Sequence, residues 1–357
     1  MYKNSIVSNR GVSIGSGANT LLNLLIGANS KESISEEIAK VDYLCSKKES
    51  IDVITDLSLF EAEKEGRLWE YVLKNTDYMA GTVPIYLSVD SNGNISESKL
   101  LELISEQCEK GVSIITIHPT ANRNTIGLSK ERMIPCTSRG GGIVAYDLLH
   151  NKKEQNAYLN ILEAVANKCK KHNVIISIGS TFRSGTILDA LDKLYYEELN
   201  EQLRIADYLQ EKGVNTIIET PGHVDPRNLK ILCEKLQNIK YPIMPLGPML
   251  TDIGMEEDDT VAVIGASLMG MFSCADILSI VTSREHLSGI PNLDEIKKAI
   301  SKYKITKHII DLYKLGNMEK DYEISKIRSE ARTCNALSKE ACKRCGNVCP
   351  LRYSWEL

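Results

Sequence analysis

Cys342, Cys345 and Cys349 close a 357-residue chain, spaced C-x2-C-x3-C and followed directly by Pro350. Three thiolates this close can grip one face of an iron–sulfur cluster or most of a zinc ion. A cubane cluster has four irons and a closed structural zinc site takes four protein ligands, so three cysteines leave one coordination position open for chemistry. Two other readings compete for the same residues. Cys334, a little upstream, supplies a fourth ligand for a closed zinc site. The run also matches the last three cysteines of the bacterial ferredoxin pattern, although Lys339 stands where that pattern needs its first one. A three-ligand cluster with one exchangeable iron is the reading the tail favours. In a reducing compartment the other cysteines, Cys45, Cys108, Cys136, Cys169, Cys233, Cys274 and Cys334, are free thiols, most of them small buried apolar residues.

Polar residues with chemical uses also follow short apolar runs throughout the chain. Asp56 and Ser58 close one run, Tyr86 lies within the next, His118 ends another and Arg183 follows a fourth. Glu219 and His223 fall in Ile218-Glu-Thr-Pro-Gly-His223, while Arg284, Glu285 and His286 follow the last run. His223 and His286 sit beside Gly, Pro or acidic residues rather than on an apolar face, and are the candidate metal-binding imidazoles outside the tail. His118, before Pro119, suits a substrate or a metal equally. Thr137, Ser138 and Arg139 precede Gly140, Gly141 and Gly142, so backbone N–H groups and two side-chain donors can converge on a phosphate. An ordinary glycine-rich surface loop has the same composition. Arg183, ahead of a helix, offers a second phosphate donor.

The elements that must position these groups alternate regularly. Eight Ile- and Val-rich runs precede residue 285: Thr20 to Ala28, Ile51 to Leu57, Thr82 to Val89, Val112 to His118, Val174 to Gly179, Thr216 to Glu219, Tyr241 to Leu246 and Ile277 to Thr282. Helical periodicity fills the intervals at Ser96 to Lys110, Glu154 to Lys171, Ile187 to Lys212 and Asp225 to Asn238. Repeated strand–helix units predict a parallel sheet. Eight units, with no dinucleotide fingerprint after the first strand, favour a (β/α)8 TIM-type barrel over an open doubly wound sheet. The boundaries read as an N-terminal segment at 1–19, a barrel at 20–290, a helical domain at 291–333 and a flexible Cys-rich tail at 334–357. Pro119 to Tyr146 reads as one long irregular connection. In a barrel, the strand-end residues all face one mouth.

Composition sets limits on partners. Hydrophobic residues make up 43% and charged residues 25%, which suits a globular protein with a large core. A net charge of -4 with no long basic run gives no nucleic-acid surface. No stretch has the ~18 apolar residues of a membrane span and the N-terminus has no signal-peptide pattern, so no membrane partner and a cytoplasmic location are expected.

Taken together, the motifs resemble one family: the phosphomethylpyrimidine synthase of thiamin biosynthesis and the related 5-hydroxybenzimidazole synthase, which are non-standard radical S-adenosylmethionine enzymes. The matching stretches are Gly81-Thr-Val-Pro-Ile-Tyr86, Thr116-Ile-His118, Ser138-Arg-Gly-Gly141, Ile218 to His223, Leu246-Gly-Pro248 with Thr251-Asp-Ile253, Ile264-Gly-Ala266 and Glu285-His-Leu287. They cover about residues 20 to 349 in unbroken order. The resemblance implies a lyase in which Cys342, Cys345 and Cys349 hold a [4Fe–4S] cluster that binds S-adenosylmethionine. Reduction, by a donor such as flavodoxin or ferredoxin, would give a 5′-deoxyadenosyl radical that acts on 5-aminoimidazole ribotide. The implied product is 4-amino-5-hydroxymethyl-2-methylpyrimidine phosphate, or alternatively 5-hydroxybenzimidazole, the precursor of a cobamide lower base; a divergent paralogue acting on a related ribotide is the third alternative. The resemblance further implies a divalent metal, Zn or Fe, on His223 and His286. It implies substrate contacts from Tyr86, His118, Ser138, Arg139, Gly140, Arg183 and Glu219, catalytic roles for Glu219 and His118, and a homodimer. The chain departs from the family at Leu25, Thr55, Ser180 and Met244, and in the three-residue gap between Cys345 and Cys349. A two-histidine metal hydrolase and a non-enzymatic iron–sulfur carrier are the readings from other classes.

Overall fold

The computed structural model describes residues 4–60, 66–335 and 344–353, so Cys342 lies outside the described residues. The chain divides into two compact units, residues 1–314 and residues 315–357.

In the first unit eight parallel strands form one sheet: β3 (Leu21–Ile26), β4 (Val53–Asp56), β5 (Met79–Thr82), β6 (Ile114–Ile117), β7 (Ile175–Ile178), β8 (Thr216–Glu219), β9 (Ile243–Met244) and β10 (Ile277–Ile280). Their spatial order is β10-β3-β4-β5-β6-β7-β8-β9, with chain neighbours side by side. The seam between β9 and β10 is held by Asp276 N–H donating to Ile243 O at 2.9 Å and Ile243 N–H donating to Asp276 Oδ2 at 2.9 Å. This is the expected (β/α)8 barrel. Helices follow the strands on the outside: α1 (Ile34–Lys47), α2 (Leu68–Asn75), α3 (Glu97–Lys110), α4 (Arg123–Ser129), α5 (Arg139–His150), α6 (Ala157–His172), α7 (Lys193–Glu211), α8 (Pro226–Leu236), α9 (Asp258–Met271) and α10 (Leu293–Leu315).

Period-two alternation divides each strand between two environments. In β3, Leu22, Leu24 and Ile26 pack outward into the main apolar core against the helices. Leu21 points into the barrel, where it joins Val53, Ile114, Ile175 and Ile217 in a separate apolar layer. A hairpin of β1 (Ser5–Val7) and β2 (Ser13–Gly15), unforeseen in the sequence, inserts Ile6 and Ile14 into that layer and plugs the bottom of the barrel. The next inward layer is polar, with Asn23, Thr55, Thr116, Ser177, Glu219 and Ser279 all buried. A barrel that seals itself with aliphatic residues at one end and lines its middle with hydroxyls, an amide and a carboxyl is built to receive a ligand from the other end.

Two expectations are corrected. The third strand is Met79–Thr82 rather than Thr82 to Val89, and Pro84–Leu87 forms a 3-10 turn. Pro84 explains the shift, since it lacks the N–H a central strand must donate. The connection from Pro119 to Tyr146 is not irregular, because it contains α4 and the start of α5. Asn122 caps α4 in a capping box with Thr125, and Ser138 caps α5 by accepting the Gly141 N–H at 3.1 Å.

The second unit contains α11 (Glu319–Glu330), with no buried residue, and short 3-10 turns at Gly346–Val348 and Pro350–Arg352. Cys345 is exposed and Cys349 half-buried, and both are free thiols. Among the described residues, no helix is long and apolar enough to cross a membrane.

Candidate functional site

A cavity of about 700 Å³ opens at the C-terminal end of the barrel strands. Its walls include Tyr86, His118, Ser138, Arg139, Arg183, Glu219, His223 and His286, eight residues singled out from the sequence. They arrive from six different strand ends or loops and converge as strand-end residues of a closed barrel must.

Glu219 ends β8 at the cavity floor. It is 5% exposed, and its Oε1 accepts Ser177 Oγ at 3.0 Å and Thr116 Oγ1 at 3.3 Å. Burial pushes its pKa above the ordinary carboxyl value, against the opposing pull of the Arg183 guanidinium.

His118 sits above β6 in a slot too narrow for any side chain on its neighbours. A Cβ on Gly140 would lie 2.4 Å from the imidazole Cε1, and one on Gly179 2.8 Å from Nε2. The ring is therefore gripped between the first turn of α5 and the end of β7. Its Nδ1 is buried with no hydrogen-bond partner among the described residues. Burial, reinforced by Arg183, lowers its pKa from 6.5 to about 3, so the imidazole is neutral at physiological pH. A depressed folded value means that stability is fully present above the unfolded value of 6.5 and is lost as pH falls toward about 3, because the unfolded chain takes up the proton first. Between these limits the wild-type chain is expected to lose stability more steeply than His118→Gln, as measured by urea unfolding at a series of pH values.

The glycine triplet forms the first turn of α5, where Ser138 Oγ takes the Gly141 N–H and the Gly140 N–H belongs to the open helix N-terminus. A Cβ on Gly141 would meet Thr181 Cα at 2.5 Å, so glycine is required for α5 to pack against the loop after β7. The Arg139 guanidinium lies 5.4 Å from the centre of the Tyr86 ring, which fixes both side chains over the same wall. Arg183 is carried by a loop that one buried carboxylate organises. Glu198, on α7, accepts Thr120 Oγ1 at 2.6 Å, Ser180 Oγ at 2.6 Å, Thr181 N–H at 2.7 Å and Phe182 N–H at 2.9 Å. Nothing in its helical sequence context distinguished Glu198 from a surface glutamate.

His223 and His286 are brought together, with ring centres 5.0 Å apart. His223 Nδ1 lies 2.6 Å from Asp252 Oδ1, and His286 Nδ1 lies 2.7 Å from Asp258 Oδ1. Asp252 is itself held by Thr186 Oγ1 at 2.6 Å and the Ile187 N–H at 3.1 Å, and Asp258 starts α9. Burial outweighs the pull of Asp252 and lowers the His223 pKa, so the ring is neutral. A neutral ring whose Nδ1–H donates to a carboxylate keeps its Nε2 lone pair for a metal. The pair fits a divalent ion as two of its ligands. Among the described residues no group of three or more His, Cys, Asp and Glu side chains forms a complete metal cage. The two aspartates were missed in the sequence, although Asp252 lies in a quoted motif and Asp258 in the acidic run that leads into the first turn of α9.

Other strand-end residues serve the scaffold. Asp56 accepts the Ser58 N–H at 2.8 Å and the Trp69 N–H at 3.0 Å, Ser58 Oγ accepts the Ala28 N–H at 3.0 Å, and Arg284 Nε donates to Glu295 at 2.8 Å. Of the four positions that depart from the family resemblance, Leu25, Thr55 and Met244 line the cavity, whereas Ser180 donates to Glu198 instead.

Among solved structures the chain is similar to 3-dehydroquinate dehydratase from Geobacillus kaustophilus, at 11% identity over 85% of this chain and 97% of that one, with a TM-score of 0.47. It is also similar to N-acetylneuraminic acid synthetase from Leptospira borgpetersenii, at 15% identity over 92% and 98% of the two chains, with a TM-score of 0.45. Likenesses this distant share the barrel alone. The sequence itself is more specific, matching the Radical SAM ThiC family over residues 1–339, a span that ends just before Cys342. With most of the chain matched and the barrel mouth assembled from the residues that suggested the resemblance, this protein belongs to the Radical SAM ThiC family.

Proposed function

We propose that the protein is a carbon–carbon lyase that converts 5-aminoimidazole ribotide to 4-amino-5-hydroxymethyl-2-methylpyrimidine phosphate, a step toward thiamin. Family membership implies a radical S-adenosylmethionine enzyme with a [4Fe–4S] cluster and an electron donor. The observation that carries the substrate is the meeting, in one cavity, of the start of α5 at Ser138 and Arg139 with Arg183 and the buried carboxyl of Glu219. A ribotide has one phosphate for the first group and an amino group for the second.

In this reading Cys342, Cys345 and Cys349 hold the cluster, and the divalent ion, Zn or Fe, rests on His223 and His286. When bound there, a reduced cluster would supply one-electron chemistry toward S-adenosylmethionine. The protein's own residues bind and orient. Arg139, Arg183 and the α5 amides neutralise the phosphate, Tyr86 covers the sugar side, and Glu219 takes an N–H of the amino group and can hold a proton when it is released. His118, neutral and clamped, offers Nδ1 to a ribose hydroxyl without changing charge. The plugged barrel excludes water from below, which a carbon radical requires. The enzyme works as a homodimer in the cytoplasm, with flavodoxin or ferredoxin as reductant.

Leu25, Thr55 and Met244 on the cavity wall favour a second reading, 5-hydroxybenzimidazole as product from the same ribotide. Mass spectrometry of the product made by the reconstituted enzyme separates the two. The pyrimidine phosphate is expected, hydroxybenzimidazole would select the second reading, and consumption of neither ribotide nor S-adenosylmethionine by a protein with an intact cluster would overturn both.

A further inference from the structure

The polar layer of the barrel has a second flank that the roles above leave without a task. Ser279, on β10, is 1% exposed and lines the cavity, yet its Oγ has no hydrogen-bond partner among the described residues. Its register neighbour on β3 is Asn23, also buried and also on the cavity wall. The Asn23 Oδ1 accepts Thr55 Oγ1 at 2.8 Å, while Nδ2 contacts Met244 Sδ at 3.6 Å, a weak acceptor. A buried hydroxyl without a partner is costly to keep unless something else completes its hydrogen bonding. Beside it stands an amide N–H whose partner is a thioether that a better acceptor can displace.

The layer is ordered around the barrel. Glu219 on β8 is in register with Met244 on β9, and Ser279 and Asn23 follow on β10 and β3. Carboxyl acceptor, apolar thioether and donor pair therefore succeed one another along one arc of the floor. A flat heteroaromatic ring with an amino substituent on one edge and a ring nitrogen lone pair on another matches that order, with its face or body over Met244.

We propose that Ser279 and Asn23 form a subsite that donates hydrogen bonds to the acceptor edge of the ligand's ring, while Glu219 receives its amino edge. The subsite reads the base rather than the phosphate, and so sets which ribotide is accepted; this inference rests on the ribotide reading of the cavity. Ser279 touches the substrate directly, and Asn23 shares the contact, with its amide turned by Thr55.

Titration calorimetry on the full-length protein tests this with two probes, 5-aminoimidazole ribotide and ribose 5-phosphate, which has the sugar and phosphate but no base. Ser279→Ala is expected to weaken ribotide binding roughly five- to tenfold, the loss of one hydrogen bond, and to leave ribose 5-phosphate unchanged. The ligand-free variant is expected to melt at or above the wild-type temperature, because an unpartnered buried hydroxyl has been removed. Unchanged affinity for both probes overturns the proposal, and so does an equal loss for both or a lower melting temperature, each of which marks Ser279 as structural. A wild-type protein that binds ribose 5-phosphate as tightly as the ribotide overturns the subsite alone, and one that binds neither overturns the ribotide reading together with it.

Discussion

Gly140→Ala is expected to reduce turnover by about 100-fold or more while leaving the protein folded. The new Cβ would stand 2.4 Å from His118 Cε1 and 2.7 Å from Nδ1, well inside contact distance. Either the first turn of α5 retreats or the imidazole leaves its slot beside Gly179. Both escapes move a binding group. The first shifts the amides and Arg139 away from the phosphate position, and the second redirects the unpartnered Nδ1. Overpacking of this kind costs about 1–3 kcal/mol of stability, which a barrel of this size survives. Steady-state kinetics should therefore show a raised KM together with a reduced kcat, with only a modest fall in melting temperature. Wild-type kinetics in a folded variant would mean that neither the clamp on His118 nor the start of α5 matters to the reaction.

The second large effect concerns the tail. Cys345→Ala and Cys349→Ala are each expected to abolish the cluster absorbance and cleavage of S-adenosylmethionine, because three thiolates cannot lose one and still hold the cluster with a single open iron. Cys345 is exposed and Cys349 half-buried, so both can be substituted without disturbing a packed core. Cys334→Ala separates this from a closed four-cysteine zinc site. Cys334 is an exposed free thiol, and its removal is expected to leave iron content and cleavage at wild-type levels. Loss of bound metal in Cys334→Ala as severe as in Cys345→Ala would point to the closed site instead.

Most of the barrel was legible in the sequence because its two signals are local. Apolar runs of β-branched residues marked the strands at Ile114–Ile117, Ile175–Ile178 and Thr216–Glu219 within a few residues, and helical periodicity marked α3, α6 and α8. The failures have equally local causes. Pro84 ended a strand inside an apolar run, and Asn122 and Ser138 started helices in a stretch whose Gly and Pro content suggested a loop. The β1–β2 hairpin pairs only three residues per strand, too few for its alternation to stand out.

The candidate site followed the same division. Side chains that end strands, such as Glu219 and His223, could be picked out because the fold alone brings them to the mouth. Their supports could not. Asp252, Asp258 and Glu198 act through contacts with residues far along the chain, and Ser279 looks in sequence like any small residue in a strand. Only packing shows that its hydroxyl is buried without a partner among the described residues.

The proposed function requires this barrel to hold a ribotide for attack by a radical derived from S-adenosylmethionine. The most direct test is anaerobic reconstitution with iron and sulfide, reduction, and incubation with S-adenosylmethionine and 5-aminoimidazole ribotide deuterated throughout its ribose, followed by mass spectrometry of the 5′-deoxyadenosine. The expected result is 5′-deoxyadenosine that carries deuterium and forms only when the ribotide is present. Unlabelled 5′-deoxyadenosine formed at the same rate with and without ribotide, or none at all from a protein whose cluster is intact, would contradict it.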